Sequence, residues 1–348
     1  MSRIGDSRIV IVGAGAIGGT VGAYLHEAGY DVLLADASPQ HVEAINEHGL
    51  RITGVRGDRV FRPPAILADE LHSPLGVVIL CVKGNHTEGA MGRVAPLLAP
   101  DGYVVSLQNG LNEALIARHV DEGRTVGAFV HFGADLVEPG VVRLGYEATI
   151  RVGELDGGIT ARAEALAKAL SHAMPARVTE NIWGFLWGKL VFGATGFVVS
   201  CVDVPVAEVI DEPLGRSLCR AASAEAYLVA RTRVEKVEPI GEFVPEKFAP
   251  GEDPRGADEA LTTLADSWRH SIKRHMGIWR DLKVWRRKTE VDEQVGQIVA
   301  TGRERGVRTP VNAAVLEIMH EIESGKRGMG WENLEEIARR SGAVPSAR

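Results

Sequence analysis

Residues 8–36 read RIVIVGAGAIGGTVGAYLHEAGYDVLLAD, and they hold the pattern in this chain most suggestive of chemistry. Gly13, Gly15 and Gly18 follow an apolar β-branched run directly and open an amphipathic stretch, with Ala16 and Ile17 between the last two. Glycine at the first position permits a tight turn. At the second it lets a pyrophosphate approach the backbone, and at the third it lets a helix pack on a strand. The free N–H groups of the helix N-terminus then hold the anion. A glycine-rich turn with no ligand would look the same in isolation. Here the strand, glycines, helix, second strand and terminal acid are all present, which predicts dinucleotide binding. The acid is Asp36. It can hydrogen-bond ribose hydroxyls and repel a 2′-phosphate, or cap the next helix, and the two roles are compatible. The following ASPQHVEAI offers no arginine for a 2′-phosphate, so NAD(H) is expected over NADP(H).

A second feature is NIWGFLWGKLVFGATGF, residues 181–197, which has one ammonium group, Lys189, in a nearly uncharged run. Lysine is rarely buried unpaired, because desolvating its charge is costly. Lys189 either snorkels to water along its stem or points into a cleft where a proton donor is needed. Other chemistries find little support. His41 and His48 stand seven apart without a zinc-like arrangement, no G-x-S-x-G elbow occurs, and no metal site is expected. Cys81, Cys201 and Cys219 are too scattered for a disulfide framework and read as small buried hydrophobes.

These residues need a scaffold, and 348 residues suffice for two domains. With 45% hydrophobic and 24% charged residues the composition is that of a globular protein, and a net charge of −7 argues against nucleic-acid binding. The N-terminus lacks an apolar core of signal-peptide length, and no apolar run of about 18 residues is expected. No membrane partner and a cytoplasmic location follow as expectations. The runs at 8–12, 31–35, 77–82, 103–107 and 126–130 look like buried strands separated by helical patterns. That pattern predicts an α/β fold: a Rossmann-type parallel sheet with helices on both faces over residues 1–178. Residues 159–173 carry a helical stripe, and helical periodicity dominates an all-helical substrate and dimerisation domain over 179–338. The proline-, glycine- and acid-rich 235–257 reads as a loop insertion, and 339–348 as a frayed tail.

The glycine turn, CVKGNHTEGA with Lys83, SLQNGLNE with Asn109, ENIWGFLWGKL with Lys189, and RRKTEVDEQVG with Glu290 occur in one order. Together they resemble the ketopantoate reductase (2-dehydropantoate 2-reductase) family, from about residue 7 to residue 333. The resemblance implies a Rossmann domain, a helical domain, a substrate cleft between them, a homodimer, and hydride transfer between a nicotinamide and a small 2-keto or 2-hydroxy compound. It places Lys189 as general acid, or as base in the oxidation direction. Lys83 and Asn109 would lie near the nicotinamide ribose and the reacting carbonyl, and Glu290 would contact the cofactor.

The pattern also departs from that family. Asparagines usual four and eight residues after the lysine are Gly193 and Phe197 here, and Met276, beside His275, stands near the place of a substrate-binding serine. Losing polar contacts weakens selection for a polar substrate. A substrate bulkier or more apolar than ketopantoate is therefore expected, with an NADPH-dependent 2-dehydropantoate 2-reductase as the alternative. A non-catalytic nucleotide sensor is a third class, but it would have no use for Lys189. His131, in FVHFGA, reads equally as a substrate contact or as a satisfied strand-end histidine. His275 reads as a helix-surface residue, Arg280 and Asp281 as a solvated helix pair, and Trp279 and Trp285 as packing residues.

Overall fold

The computed structural model describes Ile4, residues 7–271 and residues 273–342. It divides into two compact units, Met1–Trp183 and Gly184–Arg348.

The first unit opens with β1 (Ile9–Val12), α1 (Ala16–Glu27), β2 (Val32–Asp36) and α2 (Pro39–His48). Three short strands follow, β3 (Leu50–Gly54), β4 (Arg59–Phe61) and β5 (Ala65–Leu67). Next come β6 (Leu75–Leu80), α3 (Thr87–Val94), β7 (Leu98–Ser106), α4 (Glu113–Val120) and β8 (Thr125–Val130). The unit continues with β9 (Gly133–Glu138), β10 (Val141–Tyr146), β11 (Ile150–Glu154), α5 (Ala161–Leu170) and β12 (Ala176–Val178). The main sheet has the order β12-β11-β8-β7-β6-β1-β2-β5, parallel except where β11 meets β8. Six of these strands reproduce the doubly wound dinucleotide-binding order, which reverses between β1 and β6.

Continuous apolar strands are what such a sheet requires, because both faces are covered. Ile9, Ile11, Val77, Ile79 and Val105 enter one core, and Val10, Val12, Val78, Leu80 and Val104 enter another with Met91 and Ile116. A second sheet, ordered β4-β3-β10-β9, was not among the expected elements. Its strands are short and mixed in direction, so no long apolar run announces them.

The second unit is helical. It comprises α6 (Ile182–Val199, whose first two residues belong to the first unit), α7 (Val206–Asp211), α8 (Pro213–Arg231) and α9 (Pro254–Arg269). It ends with α10 (Gly277–Lys283), α11 (Val295–Arg305), α12 (Pro310–Glu323) and α13 (Glu332–Ser341). Two expectations are corrected here. The 18-residue α6 carries no charge except Lys189, so an apolar run of membrane-spanning length does exist; most of it is buried inside the fold. Residues 235–257 are irregular, apart from one short 3-10 turn, up to the start of α9 at Pro254, and within this loop Val237, Ile240, Phe243 and Phe248 are buried. The Glu238 N–H donates to the Gly184 carbonyl at 3.0 Å, and a Cβ on Gly188 would stand only 2.2 Å from the Glu238 carbonyl oxygen. Glycine at 188 thus lets this segment lie against α6. Finally, the expected tail 339–348 begins inside α13. Arg340 donates to Glu336, Glu317 and Glu321, and residues 343–348 lie outside the described residues.

Candidate active site

The three glycines of the first turn meet three different surroundings. Gly13 has φ +93°, and a Cβ there would stand 2.8 Å from the Val82 nitrogen. At Gly18 a Cβ would be 2.0 Å from the Gly13 carbonyl oxygen and 2.9 Å from the Cys81 Cβ. Around Gly15, by contrast, nothing lies within 4 Å of that point. Gly15 is the N-cap of α1 and supplies no capping side chain, so the first-turn N–H groups, including those of Ala16 and Ile17, face open space. An uncapped helix N-terminus beneath a cradle that a side chain would fill is the geometry a dinucleotide pyrophosphate requires.

The peptide groups flanking Ala14 are held at both ends. Its N–H donates to Asp36 Oδ2 at 2.8 Å, and its carbonyl is 2.9 Å from His41 Nε2. Asp36 Oδ1 accepts from Ser38 N–H, and it is Ser38 that caps α2 by accepting from His41 N–H. The fully buried His41 completes the link, because its Nδ1 accepts from the Gly140 N–H at 2.9 Å in the β9–β10 turn. A backbone N–H can only donate, so Nδ1 carries no proton and Nε2–H donates to Ala14. Sequence reading gave His41 no role of this kind. Replacing it with leucine leaves two buried backbone groups unpaired, at about 1–3 kcal/mol each. His41→Leu is expected to lower the Tm by roughly 10 °C and to weaken NADH binding in a fluorescence titration. A lowered Tm with unchanged NADH affinity would mean that His41 supports the fold without shaping the turn.

Lys83 and Asn109 follow β6 and β7, at the same carboxyl edge of the sheet as the glycine turn, and both are half-buried. A buried network fixes their loops. Gln108 donates to the Val82 carbonyl and to Thr87 Oγ1, both at 2.8 Å. Asn112 Nδ2 donates to the Asn109 carbonyl at 2.7 Å, and Thr87 donates to Asn112 at 3.3 Å. Gln108, Thr87 and Asn112 are therefore supporting residues that the motifs contained but did not reveal. His131, just beyond β8 on this edge, stacks on Phe129 at 6.1 Å and meets Tyr146 edge-on at 5.9 Å.

On α6 the half-exposed Phe185, Lys189, Phe192 and Gly193 recur at helical spacing, while half-exposed Trp183 lies on the opposite side of the helix. Lys189 thus lies on a stripe that reaches the surface, between two phenylalanines. Trp187 is buried elsewhere, and Trp183 donates to the Leu155 carbonyl at 3.0 Å within the first unit. Phe192 meets Phe243 edge-on at 5.4 Å, and Phe243 stacks on Phe248, so the 235–257 segment supplies an aromatic wall beside Lys189. Gly193 lies one turn beyond Lys189, and a Cβ on it would be 3.0 Å from Gln294 Oε1. Phe197 does not share this surface. Eight residues turn a helix by about 80° past whole turns, and Phe197 is fully buried in the core. Met276 is also buried, 3.7 Å from a Cβ built on Gly196, and Glu290 is 5% exposed.

Other expectations meet mixed outcomes. His275 precedes α10 rather than lying on a helix face, and it stacks on Trp279 at 4.2 Å. Burial lowers its pKa from the ordinary histidine value. Trp279 donates to Asp203 at 2.7 Å. Asp281 is buried and pairs with Arg287 at 2.8 Å, so it does not lie on a solvated face. Burial raises the pKa of all three cysteine thiols, that of Cys201 to about 12, which disfavours thiolate chemistry. Among the described residues no cluster of metal-ligating side chains occurs. A cavity of about 470 Å³ lined by Arg8, Asp31 and His72 lies at the amino edge of the sheet, opposite the glycine turn.

Sheet order, glycine turn and the acid that ends β2 together define a Rossmann-type dinucleotide-binding unit followed by a helical unit. Residues 9–157 match the family "Ketopantoate reductase PanE/ApbA" and residues 181–323 its C-terminal counterpart. The 2-dehydropantoate 2-reductase of Archaeoglobus fulgidus is 29% identical over 322 residues, covering 91% of this chain and 98% of the relative. That of Mesorhizobium japonicum is 27% identical, covering 90% and 97%. Among solved structures, a D-mandelate dehydrogenase with NADH and anilino(oxo)acetate superposes with a TM-score of 0.80 at 27% identity, covering 91% of this chain and 99% of that one. A PanE/ApbA family ketopantoate reductase from Ralstonia eutropha gives 0.77 at 25% identity, covering 92% and 99%. The chain belongs to the ketopantoate reductase family. It is an NAD(P)-dependent oxidoreductase that interconverts CH–OH and C=O in a small molecule.

Proposed function

We propose that this enzyme interconverts a 2-hydroxy and a 2-oxo acid bulkier or more apolar than ketopantoate, with NAD(H) as its cofactor and Lys189 as general acid and base. The observation that carries this reading is the α6 stripe, where Lys189 stands between Phe185 and Phe192 and α6 itself supplies no polar side chain one turn further on. The nicotinamide supplies or accepts the hydride when bound. The glycine turn, with Ala16 and Ile17, holds the pyrophosphate, and Asp36 receives the ribose hydroxyls. Lys83 and Asn109 orient the nicotinamide ribose and the reacting carbonyl. In reduction, the Lys189 ammonium donates a proton to the oxygen as the C=O bond becomes an alkoxide. In oxidation, its neutral amine takes the hydroxyl proton. Glu290, in the segment before α11, contacts the cofactor, and a homodimer formed through the helical unit, in the cytoplasm, belongs to the same reading by family analogy.

The likeness to a dehydrogenase of an aromatic hydroxy acid favours phenylglyoxylate as the probe. Initial rates with NADH are expected to give a kcat/KM for phenylglyoxylate at least about tenfold above that for ketopantoate, as one or two lost methylene-scale or polar contacts would produce. The curated relatives favour a second reading, a 2-dehydropantoate 2-reductase using NADPH. A kcat/KM for ketopantoate of about 10⁴ M⁻¹s⁻¹ or more with NADPH would establish that second reading and overturn the first.

Asp36→Asn removes the charge and keeps one of the two acceptors, so it can still meet the Ala14 N–H but sets its NH2 against the Ser38 N–H, and a melting curve reads that scaffolding cost separately. The ratio of kcat/KM for NADH to that for NADPH is expected to fall by about tenfold, the worth of one charged contact. An unchanged ratio would remove Asp36 from cofactor selection.

A further inference from the structure

We infer that Gln294 is a specificity-determining residue whose carboxamide binds the substrate carboxylate beside Lys189. The inference rests on the assignment of Lys189 as general acid. The main chain of Gln294 is fixed on both sides: its N–H donates to the Glu290 carbonyl at 3.1 Å, and its carbonyl accepts from Ile298 at 3.2 Å. Its side chain reaches α6, where Oε1 stands 3.0 Å from the point a Cβ on residue 193 would occupy. That separation is tighter than ordinary contact, so the carboxamide and a side chain at 193 compete for one space. A side chain at 193 would push the carboxamide aside by at least a few tenths of an ångström.

Residues four apart on a helix stand about 5–6 Å apart at their Cβ atoms, so the carboxamide lies one turn from the Lys189 stem. Gln294 is half-exposed, and its side chain makes no hydrogen bond to any described residue. Two N–H donors and an acceptor are therefore available beside the proton donor. In a 2-oxo acid the carboxylate sits on the carbon next to the reacting carbonyl, so its anchor must lie beside the general acid. A neutral N–H donor there holds an anion without pairing with the lysine.

The test uses whichever of phenylglyoxylate and ketopantoate the full-length enzyme reduces faster, with NADH or NADPH, and acetophenone as a ketone without a carboxylate. Gln294→Leu is expected to raise KM for the 2-oxo acid about tenfold, with kcat and the KM for NADH within about twofold. Gln294→Glu keeps the shape but opposes the carboxylate, and is expected to raise KM by about 100-fold. Gly193→Ala displaces the carboxamide without removing it and should fall between wild type and Gln294→Leu. Rates with acetophenone should not respond to Gln294→Leu. Wild-type KM values in both Gln294 variants, beside an inactive Lys189→Met, would overturn this inference alone. An active Lys189→Met, or turnover of neither 2-oxo acid by the native enzyme, would overturn the assignment on which it rests.

Discussion

Lys189→Met is expected to lower kcat for the 2-oxo substrate by about 10³-fold, within the range set by loss of a positioned proton donor. Methionine keeps the stem's length and apolar character, so the stripe between Phe185 and Phe192 stays filled. Because Lys189 is only half-buried, the change leaves no large cavity, and stability should hold to within about 0.5 kcal/mol. NADH affinity should also hold, since no part of the glycine turn changes. The measurement is a single-turnover rate alongside an NADH titration and a melting curve. Native-like turnover in this variant would show that the proton comes from elsewhere. A loss confined to KM would make Lys189 a binding residue.

Gly18→Ala carries the other large effect, and it acts on the opposite half of the chemistry. The added methyl would meet the Gly13 carbonyl at 2.0 Å and the Cys81 Cβ at 2.9 Å. The first of these is backbone, so it cannot rotate away, and the start of α1 must shift from β1 and β6. Overpacking of this kind costs about 3 kcal/mol, which lowers the Tm of a unit this size by roughly 10 °C. The shift also moves the N–H groups that face the open space over Gly15. A misplacement of about 1 Å at such a site weakens function about 100-fold, so NADH binding by fluorescence should be nearly lost. Gly15→Ala is the internal control. It adds a methyl where nothing lies within 4 Å, so it should leave stability unchanged while still obstructing the cofactor. Equal Tm losses in the two variants would contradict this division of roles.

How the chain's features could be read depended on whether their cause was local. The five central strands were visible because residues buried on both faces must all be apolar, and Ile9–Val12 or Val77–Leu80 satisfy that in consecutive positions. The glycine turn was visible because a positive φ and a close helix approach each demand glycine at a fixed place. The second sheet was not, since β3, β4, β9 and β10 each bury only part of a short run. The 235–257 segment was legible as irregular, but its burial was not, for a related reason. Proline, glycine and acid do break regular structure there, yet Phe243 and Phe248 are still drawn into the interior beside Phe192.

The site divides in the same way. The sequence by itself determined the glycine turn, the acid Asp36 at the end of β2 and the isolated lysine of α6, since each rests on backbone chemistry or on a charge whose cost is set by its neighbours in the chain. Only the tertiary structure decided that Phe197 enters the core while Gly193 stays at the surface. It alone brought His41 to Ala14 and Gly140, and Gln294 to Gly193. Those pairings join residues far apart along the chain, and a side chain's distant partner depends on the path the backbone takes between them.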